Sequence, residues 1–412
     1  MFQSVLGLFV FLGVAVLLSE NRKKISVRLI VSAILLQLVL GAVTLKFAWI
    51  RQGFLYLNGL VTAISKATGD GTAMVFGYIG GGALPFQESY PGASFILAFQ
   101  SLPLILVMSA LSALLFYWKI IPWVVRSFSV VLNKSLGTGG AEGIGISANI
   151  FVGMVEAPLL VKPYLSTMTR SELFTLMTCG MATIAGTVMV LYATILKSVI
   201  PGILGHILTA SIISAPAAIL ISKVMIPETK DVTQGKLSTP TVYKSVMDAI
   251  TKGTVSGIEL LINIVAMIIV LVAMVSLVNM TLGLIPMFKG EPFTLQRILG
   301  WIMAPATWLM GIPWAEAPAT GALMGTKTIL NEFIAYLDLT RLPEGAISDR
   351  SRIIISYAMC GFANPGSLGI MIGGMGGMAP ERRDEIVALG LRSIVAGTLA
   401  TCMTGAVAGM FL

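Results

Sequence analysis

Long apolar runs dominate the chain and are separated by short polar or basic segments. A membrane-spanning helix needs about 20 mostly apolar residues. The runs that meet this length occupy residues 2–19, 27–49, 94–118, 171–200, 203–224, 254–283, 352–378 and 386–411. A transmembrane barrel would instead alternate apolar and polar residues in short segments. The pattern predicts an all-α polytopic membrane protein with eight transmembrane helices.

Two further apolar regions are broken by glycine and proline, at residues 136–166 and 301–340. Irregular backbone at membrane depth persists only where it is buried in protein or lines a cavity. We therefore interpret both regions as re-entrant hairpins. Each carries a glutamate near its expected tip, Glu156 in the first and Glu332 in the second.

A short internal repeat follows the two hairpins. Residues 179–183 read CGMAT and residues 360–364 read CGFAN, and each block continues into weakly helical, glycine-containing sequence. If each hairpin re-enters from its own side of the membrane, the two repeats are inverted, which is the architecture of many secondary transporters. We divide the chain into a scaffold part, a first transport repeat, a linker with the sixth span, and a second transport repeat, at residues 1–135, 136–224, 225–290 and 291–412.

Interfacial helices are expected between the spans. Residues 119–135 mix Lys119, Trp123 and Arg126 with apolar residues, which is typical of a helix lying in the membrane interface. The patterns of residues 50–66 and 240–252 allow the same interpretation.

Composition and charge fit this topology. Only 11% of the 412 residues are charged and 56% are hydrophobic, which excludes a soluble enzyme, a disordered regulator and a nucleic-acid-binding protein. The net charge of +8 is explained by lysine and arginine in cytoplasmic loops. The basic residues at 22–24, in the loop 223–252 and at 382–383 then lie inside, so both termini lie outside the cytoplasm. We expect a multi-pass protein of a bacterial inner membrane, in contact with lipid.

The two hairpin glutamates are the first candidates for chemistry. A carboxylate at membrane depth costs several kcal/mol unless it is paired or functional. Glu156 and Glu332 would give a hydroxyl-rich substrate two acceptors from opposite sides. The alternative is that each glutamate caps a hairpin turn or pairs with Lys162 or Lys327.

Asn364 and Ser367 are candidates because their span is interrupted at Pro365-Gly366. The alternative role for both is ordinary hydrogen bonding between membrane helices.

A cation site is the third candidate. Asn149, Thr183 and the backbone around Val152 and Ile184 offer only oxygen ligands, which suit a hard cation such as Na⁺. Structural hydrogen bonding is again the alternative.

Other functional classes lack their signatures. The single histidine and three cysteines cannot build a histidine-rich zinc site, and no P-loop motif occurs. A membrane-embedded enzyme would need a metal-ligand cluster or a paired-carboxylate motif within one span. We therefore expect a protein that is not an enzyme and has no organic cofactor. A channel is a further alternative, but an inverted hairpin pair favours alternating access.

Four ordered blocks make the chain recognisable as a whole. They read SANIF and EAPLL at 147–151 and 156–160, MATIAGTVMVLY at 181–192, GTKTILNEFIAY at 325–336, and SYAMCGFAN at 356–364. With these blocks the sequence resembles the concentrative nucleoside transporter family. The resemblance implies a homotrimer in which helices one to three and six form a scaffold. It also implies a transport domain that moves like an elevator.

The resemblance also implies roles for single residues. Glu156 would hold the nucleobase side of the substrate. Glu332, Asn364 and Ser367 would bind ribose hydroxyls. Apolar contacts would come from Val188 and Phe362. The sodium site would comprise Asn149, Val152, Thr183 and Ile184.

The first hairpin departs from the family pattern. The family has Gly-Gln-[Thr/Ser]-Glu where this chain has Gly153-Met154-Val155-Glu156. Two hydrogen-bonding side chains on the base side are therefore replaced by apolar ones, which alters discrimination between bases. We expect a symporter that imports nucleosides or a close ribosylated relative with altered base preference. Na⁺ is the preferred coupling ion because Asn149 and Thr183 are kept. The alternative is proton-coupled uptake of a modified nucleoside or nucleobase.

Overall fold

The computed structural model describes residues 2–89, 93–235, 243–285 and 292–412, and all regular elements in these ranges are helical. The first nine α-helices are α1 Phe2–Leu17, α2 Val27–Lys46, α3 Ala48–Phe76, α4 Leu97–Gln100, α5 Leu104–Tyr117, α6 Ile120–Leu136, α7 Gly140–Asn149, α8 Glu156–Leu159 and α9 Arg170–Ala182. The other nine α-helices of the described residues are α10 Gly186–Leu196, α11 Ile203–Met225, α12 Val246–Leu282, α13 Leu295–Leu309, α14 Ala317–Ile329, α15 Glu332–Arg341, α16 Asp349–Met359, α17 Pro365–Met378 and α18 Arg383–Phe411. Short 3-10 helices lie at Arg22–Lys24, Gly77–Gly80, Lys162–Tyr164 and Pro380–Arg382. The all-α class is confirmed.

The arrangement of apolar surface is that of a membrane protein. Six helical segments in the described ranges are long and apolar enough to cross a membrane, and α1 is a shorter apolar helix. In α11, 83% of the most apolar window is buried inside the protein, whereas in α12 only 6% is buried. Of these six segments, α12 therefore contains the most apolar window and has the smallest buried share of it. Such a surface requires lipid or other copies of the chain around it.

The span predicted at 171–200 is two helices rather than one. It breaks between α9 and α10, where Thr183 is extended, with φ −122° and ψ 171°. The backbone N–H of Gly186 donates to the carbonyl of Phe151 at 3.0 Å, so the first hairpin partly satisfies the broken backbone. A helix can be interrupted at this depth because protein groups replace its lost internal hydrogen bonds.

The span predicted at 352–378 is also two helices, α16 and α17. The interruption covers residues 360–364 and therefore precedes Pro365-Gly366, where the sequence analysis placed it. Pro365 is the first residue of α17, a position that proline favours because its missing N–H has no helical partner there. Asn364 caps this helix through its side-chain oxygen, which accepts a hydrogen bond from the Ser367 N–H at 2.8 Å.

The first hairpin consists of α7, a tip at residues 150–155 and the short α8, as its sequence predicts. The second hairpin begins later than predicted. It consists of α14 and α15 with a tip at residues 330–331, whereas α13 is a separate helix packed along α14. The apolar sequence of α13 continues into the hairpin with little change of character, which explains the misplaced boundary.

The three segments expected in the interface have different outcomes. The segment 119–135 corresponds to the separate helix α6, Ile120–Leu136, and Lys119 directly before it has a left-handed conformation with φ 62°. Residues 50–66 belong to the 29-residue helix α3. Residues 240–242 lie outside the described residues, and residues 246–252 are the first turns of the 37-residue α12.

Candidate substrate-binding site

One cavity lies where the two hairpin tips meet the two helix breaks. Its volume is about 910 Å³ when measured to its open mouth. The residues predicted to bind substrate all line it, namely Gly153, Met154, Val155, Glu156, Val188, Glu332, Phe362, Asn364 and Ser367. Segments more than 200 positions apart in the sequence thus meet at one place.

The carboxylate of Glu332 is held on both oxygens. Oε1 accepts a hydrogen bond from the Tyr192 hydroxyl at 2.7 Å, and Oε2 accepts one from the Asn364 amide at 3.1 Å. Because the Asn364 oxygen is already bound at the start of α17, its NH₂ group is directed at the carboxylate. Each carboxylate oxygen has a second lone pair, so further donors can still be accepted.

Lys327, the proposed pairing partner of Glu332, lies elsewhere. It is fully buried, and its ammonium donates a 3.4 Å hydrogen bond to Thr401. Among the described residues it forms no ion pair within 4.0 Å. The alternative of a direct ion pair between Lys327 and Glu332 is therefore wrong for this structure.

The first hairpin tip depends on a glycine. Gly153 has φ +140°, a conformation that L side chains rarely adopt. A Cβ atom at this position would lie 2.6 Å from Oε2 of Glu156 and 2.9 Å from Cβ of Ala185. Only a residue without a side chain leaves room for Glu156 to face the cavity.

The wall near Glu156 is mostly apolar but includes two polar residues that the sequence analysis missed. Thr187 has a buried hydroxyl without a hydrogen-bond partner in the described structure, and it lines the cavity. Asn263 lines the cavity from α12. The signal for Asn263 was present in the sequence, because it is the one polar residue between positions 260 and 275.

A second cavity of about 720 Å³ adjoins the first. Glu156 and Thr187 line both cavities, so they lie on the boundary between them. The second cavity is otherwise bounded by α5, α12 and the first hairpin, and polar residues in its wall include Ser109, Ser112 and Tyr243.

The four residues predicted to hold an ion lie at the contact between the first hairpin tip and the α9–α10 break. The Thr183 hydroxyl donates to the carbonyl oxygen of Asn149 at 3.1 Å and to that of Cys179 at 2.9 Å. Ile184 follows Thr183 directly, and Val152 is three residues beyond Asn149. The side-chain oxygen of Asn149 is buried and has no hydrogen-bond partner among the described atoms.

Family models match most of the chain. Residues 6–79 match the N-terminal part and residues 206–409 the C-terminal part of a model described as Na⁺ dependent nucleoside transporter. Residues 98–199 match a model described as Nucleoside recognition, or Gate.

Full-length relatives agree with the models. An uncharacterized transporter of Haemophilus influenzae is 39% identical over 100% of this chain and 97% of its own length. The nucleoside permease NupC of Helicobacter pylori is 35% identical over 99% of this chain and 97% of its own length.

Solved structures share the fold. CNTnw in an inward-facing substrate-bound state has a TM-score of 0.91 and 36% identity, with 100% of this chain and 97% of that chain covered. A CNTnw variant in an outward-facing state has a TM-score of 0.92 and 35% identity over the same shares. These similarities confirm the expectation of a transporter rather than an enzyme, and the chain belongs to the concentrative nucleoside transporter family.

Proposed function

We propose that this protein is a secondary active symporter that imports nucleosides, or a close ribosylated relative, across a bacterial inner membrane. The observation that carries the proposal is Glu332, held between Tyr192 and Asn364 at the meeting point of both hairpins. A fixed carboxylate with free lone pairs accepts two neighbouring hydroxyl groups well, and ribose presents such a pair.

Uptake by a nucleoside-uptake-deficient host tests this substrate class. Uridine, adenosine, pseudouridine and free ribose are compared in cells expressing the wild type or Glu332→Gln. We expect uptake of at least one nucleoside, and its loss in the variant, whose neutral amide accepts hydrogen bonds less strongly. Equal failure of all nucleosides in the wild type would sink the proposal. A proton-coupled carrier of a nucleobase would take up the free base instead.

The base side of the site is proposed to be read by a different set of groups from the family's usual pair. Met154 and Val155 contribute no hydrogen bonds, whereas Thr187 and Asn263 offer a hydroxyl and an amide to the same cavity. Together with Glu156 these groups would select the base.

Competition between unlabelled nucleosides tests base selection. Asn263→Leu is expected to change the ratio of uridine to adenosine affinity by up to about tenfold. A hydrogen bond contributes about 0.5–1.5 kcal/mol, and each 1.4 kcal/mol corresponds to about a tenfold change in affinity. The double variant Met154→Gln/Val155→Thr, which restores the family pattern, is expected to change the same ratio. An unchanged ratio in both variants would contradict this assignment.

Sodium is proposed as the coupling ion, bound by Asn149, Val152, Thr183 and Ile184. The support is chemical. The donors are neutral oxygens, the Asn149 side-chain oxygen is buried without a partner, and such oxygens suit a hard monovalent cation. The ion would supply the driving force of its gradient, and the residues would hold it beside the hairpin tip.

Sodium dependence of uptake tests the ion site. Thr183→Val removes one oxygen, worth about 1.5–3 kcal/mol towards a charged group, so half-saturation by Na⁺ should rise by about tenfold or more. Thr175→Val is the matched control on the same helix, because the Thr175 hydroxyl donates to the backbone carbonyl of Ser171 and accepts from the Ser222 hydroxyl instead. Uptake that ignores Na⁺ and collapses with a protonophore would assign proton coupling.

The remaining parts of the proposal concern assembly and movement. We infer a homotrimer surrounded by lipid, supported by the exposed apolar surface of α12. We also infer an elevator-type movement, because CNTnw has been solved in inward-facing and outward-facing states. Native mass spectrometry of the detergent-solubilised protein tests the trimer. Cysteine accessibility from either side of sealed vesicles tests the movement and the outward placement of both termini.

A further inference from the structure

Lys327 is a buried cation that the proposed site does not use. Its side chain is fully buried in α14, one turn before the tip of the second hairpin. Its ammonium has one weak hydrogen bond, at 3.4 Å to Thr401, and no carboxylate within 4.0 Å in the described parts of the chain. An ammonium in this position costs stability, so it calls for a functional reason.

The charge of Lys327 acts on Glu332 from the side away from the cavity. The two groups interact electrostatically, yet Glu332 lines the cavity and Lys327 does not. A substrate in the cavity therefore meets the carboxylate, and the ammonium reaches the substrate only through its field. Inside a protein this field is much less screened than in water.

Among the described residues, Lys327 is the one positively charged group that interacts with Glu332. Glu156 faces it across the cavity, and α17 and α12 contribute neutral side chains. The ionisable groups that contact or interact with the carboxylate are Tyr192 on α10, Tyr336 on α15, Cys360 after α16 and Lys327 on α14.

The two inverted repeats differ at this point. The break after α9 is faced by neutral oxygens of Asn149 and Thr183, and the Asn149 side-chain oxygen has no hydrogen-bond partner among the described atoms. The break after α16 instead lies near the ammonium of Lys327, which interacts electrostatically with Cys360 in that break. The first repeat would bind a cation from solution, whereas the second repeat has the ammonium of Lys327 as its own positive charge.

We propose that Lys327 is a positioning residue, a built-in counter-cation that keeps Glu332 ionised and able to accept the ribose hydroxyls. The inference rests on the proposed role of Glu332 in substrate binding. It also implies that the second repeat needs no coupling ion of its own.

Binding of tritiated uridine to the purified protein tests the inference, at saturating Na⁺ and from about pH 5.5 to about pH 8.5. In Lys327→Met the carboxylate of Glu332 takes up a proton more readily. We therefore expect affinity to fall about tenfold or more at the acid end and to recover towards the alkaline end. Lys327→Arg keeps the charge and should keep the wild-type profile. Thr401→Val removes the hydrogen bond but not the charge, so it should also bind normally.

A second ligand separates this role from a structural one. The analogue 2′,3′-dideoxyuridine lacks the hydroxyls that Glu332 would accept, so Lys327→Met should affect its binding little. Equal losses for uridine and the analogue, or a flat pH profile in folded Lys327→Met, would overturn the inference.

Two further outcomes have a defined meaning. If Lys327→Met does not fold, the test rests on Lys327→Arg. A wild-type pH profile in that variant supports the inference, and loss of uridine binding across the pH range overturns it. If the wild type binds neither uridine nor adenosine at any pH, the proposed function fails and this inference fails with it. Normal wild-type binding with an insensitive Lys327→Met overturns only the inference.

Discussion

The hydroxyl of Tyr192 offers a sharp test of the substrate site. It donates a 2.7 Å hydrogen bond to Glu332 from α10, whereas Glu332 belongs to the second hairpin. Tyr192→Phe removes this hydroxyl and changes little else, because the ring keeps its contacts with Phe333 and Tyr336. The carboxylate then loses one of the two groups that orient it.

The size of the effect follows from the chemistry of the bond. A hydrogen bond to a charged group contributes about 1.5–3 kcal/mol, and each 1.4 kcal/mol corresponds to about a tenfold change in affinity. If the whole contribution is expressed in substrate binding, uridine affinity should fall by about 10- to 150-fold. A substrate that lacks ribose hydroxyls should show a much smaller loss.

Tyr336→Phe is the matched control. Tyr336 is equally buried and packs at 5.1 Å against Tyr192, but its hydroxyl donates to the backbone oxygen of Ser356 at 3.0 Å. Its loss should lower thermal stability and leave uridine affinity unchanged. The assay is equilibrium binding to purified protein, with folding checked by size-exclusion chromatography. Unchanged affinity in Tyr192→Phe, or an equal loss in both variants, would refute the reasoning.

Two other substitutions give distinct outcomes. Gly153→Ala should abolish transport, since the new Cβ would lie 2.6 Å from the Glu156 carboxylate in a backbone conformation with φ +140°. The control Gly369→Ala, on α17 with open space around its Cβ position, should leave transport intact. Normal transport by Gly153→Ala would contradict the tip geometry. The hydrogen bond from Arg170 lowers the pKa of Glu20 in the α1–α2 connection. A lowered carboxyl pKa stabilises the fold above its ordinary range, and this stabilisation disappears as the pH falls through the lower folded value. Glu20→Gln should therefore unfold at a lower temperature than the wild type at neutral pH, and the gap should close as the pH falls below the ordinary carboxyl range. A gap that persists in acid would argue against this role.

The sequence alone predicted much of the candidate site because charge is rare in the chain. Glu156 and Glu332 stand out in apolar surroundings, and the repeated blocks led to Asn364 beside them. Tyr192 was not singled out for chemistry, since a tyrosine in an apolar run usually packs by its ring and only the fold shows where its hydroxyl ends. Lys327 was considered only as a direct partner of Glu332, because spacing in the sequence shows that two residues are near each other and not where their side chains point.

The fold was predictable at the level of helices and less so at their ends. Hydropathy detects apolar length, and it does not register a short break such as the one that begins at the extended Thr183. The chain resumes a helix at Gly186, whose backbone N–H donates to the Phe151 carbonyl of the distant first hairpin. Proline misled the placement of the second break, because Pro365 starts a helix and does not interrupt one. The start of the second hairpin was missed because α13 is as apolar as the helix that follows it.

The wall that α12 presents to the cavity has a mechanical consequence. Its cavity-lining residues recur every three to four positions and so form one stripe, namely Leu260, Asn263, Ile264, Met267 and Leu271. In the described structure none of these side chains forms a hydrogen bond across the cavity. A surface without directional hydrogen bonds presents low energy barriers, and no strongly favoured position, to a domain that moves along it. In the proposed elevator-type movement, Asn263 would be the one polar side chain of this stripe that the substrate meets, so α12 would bind the substrate at a single position along its length.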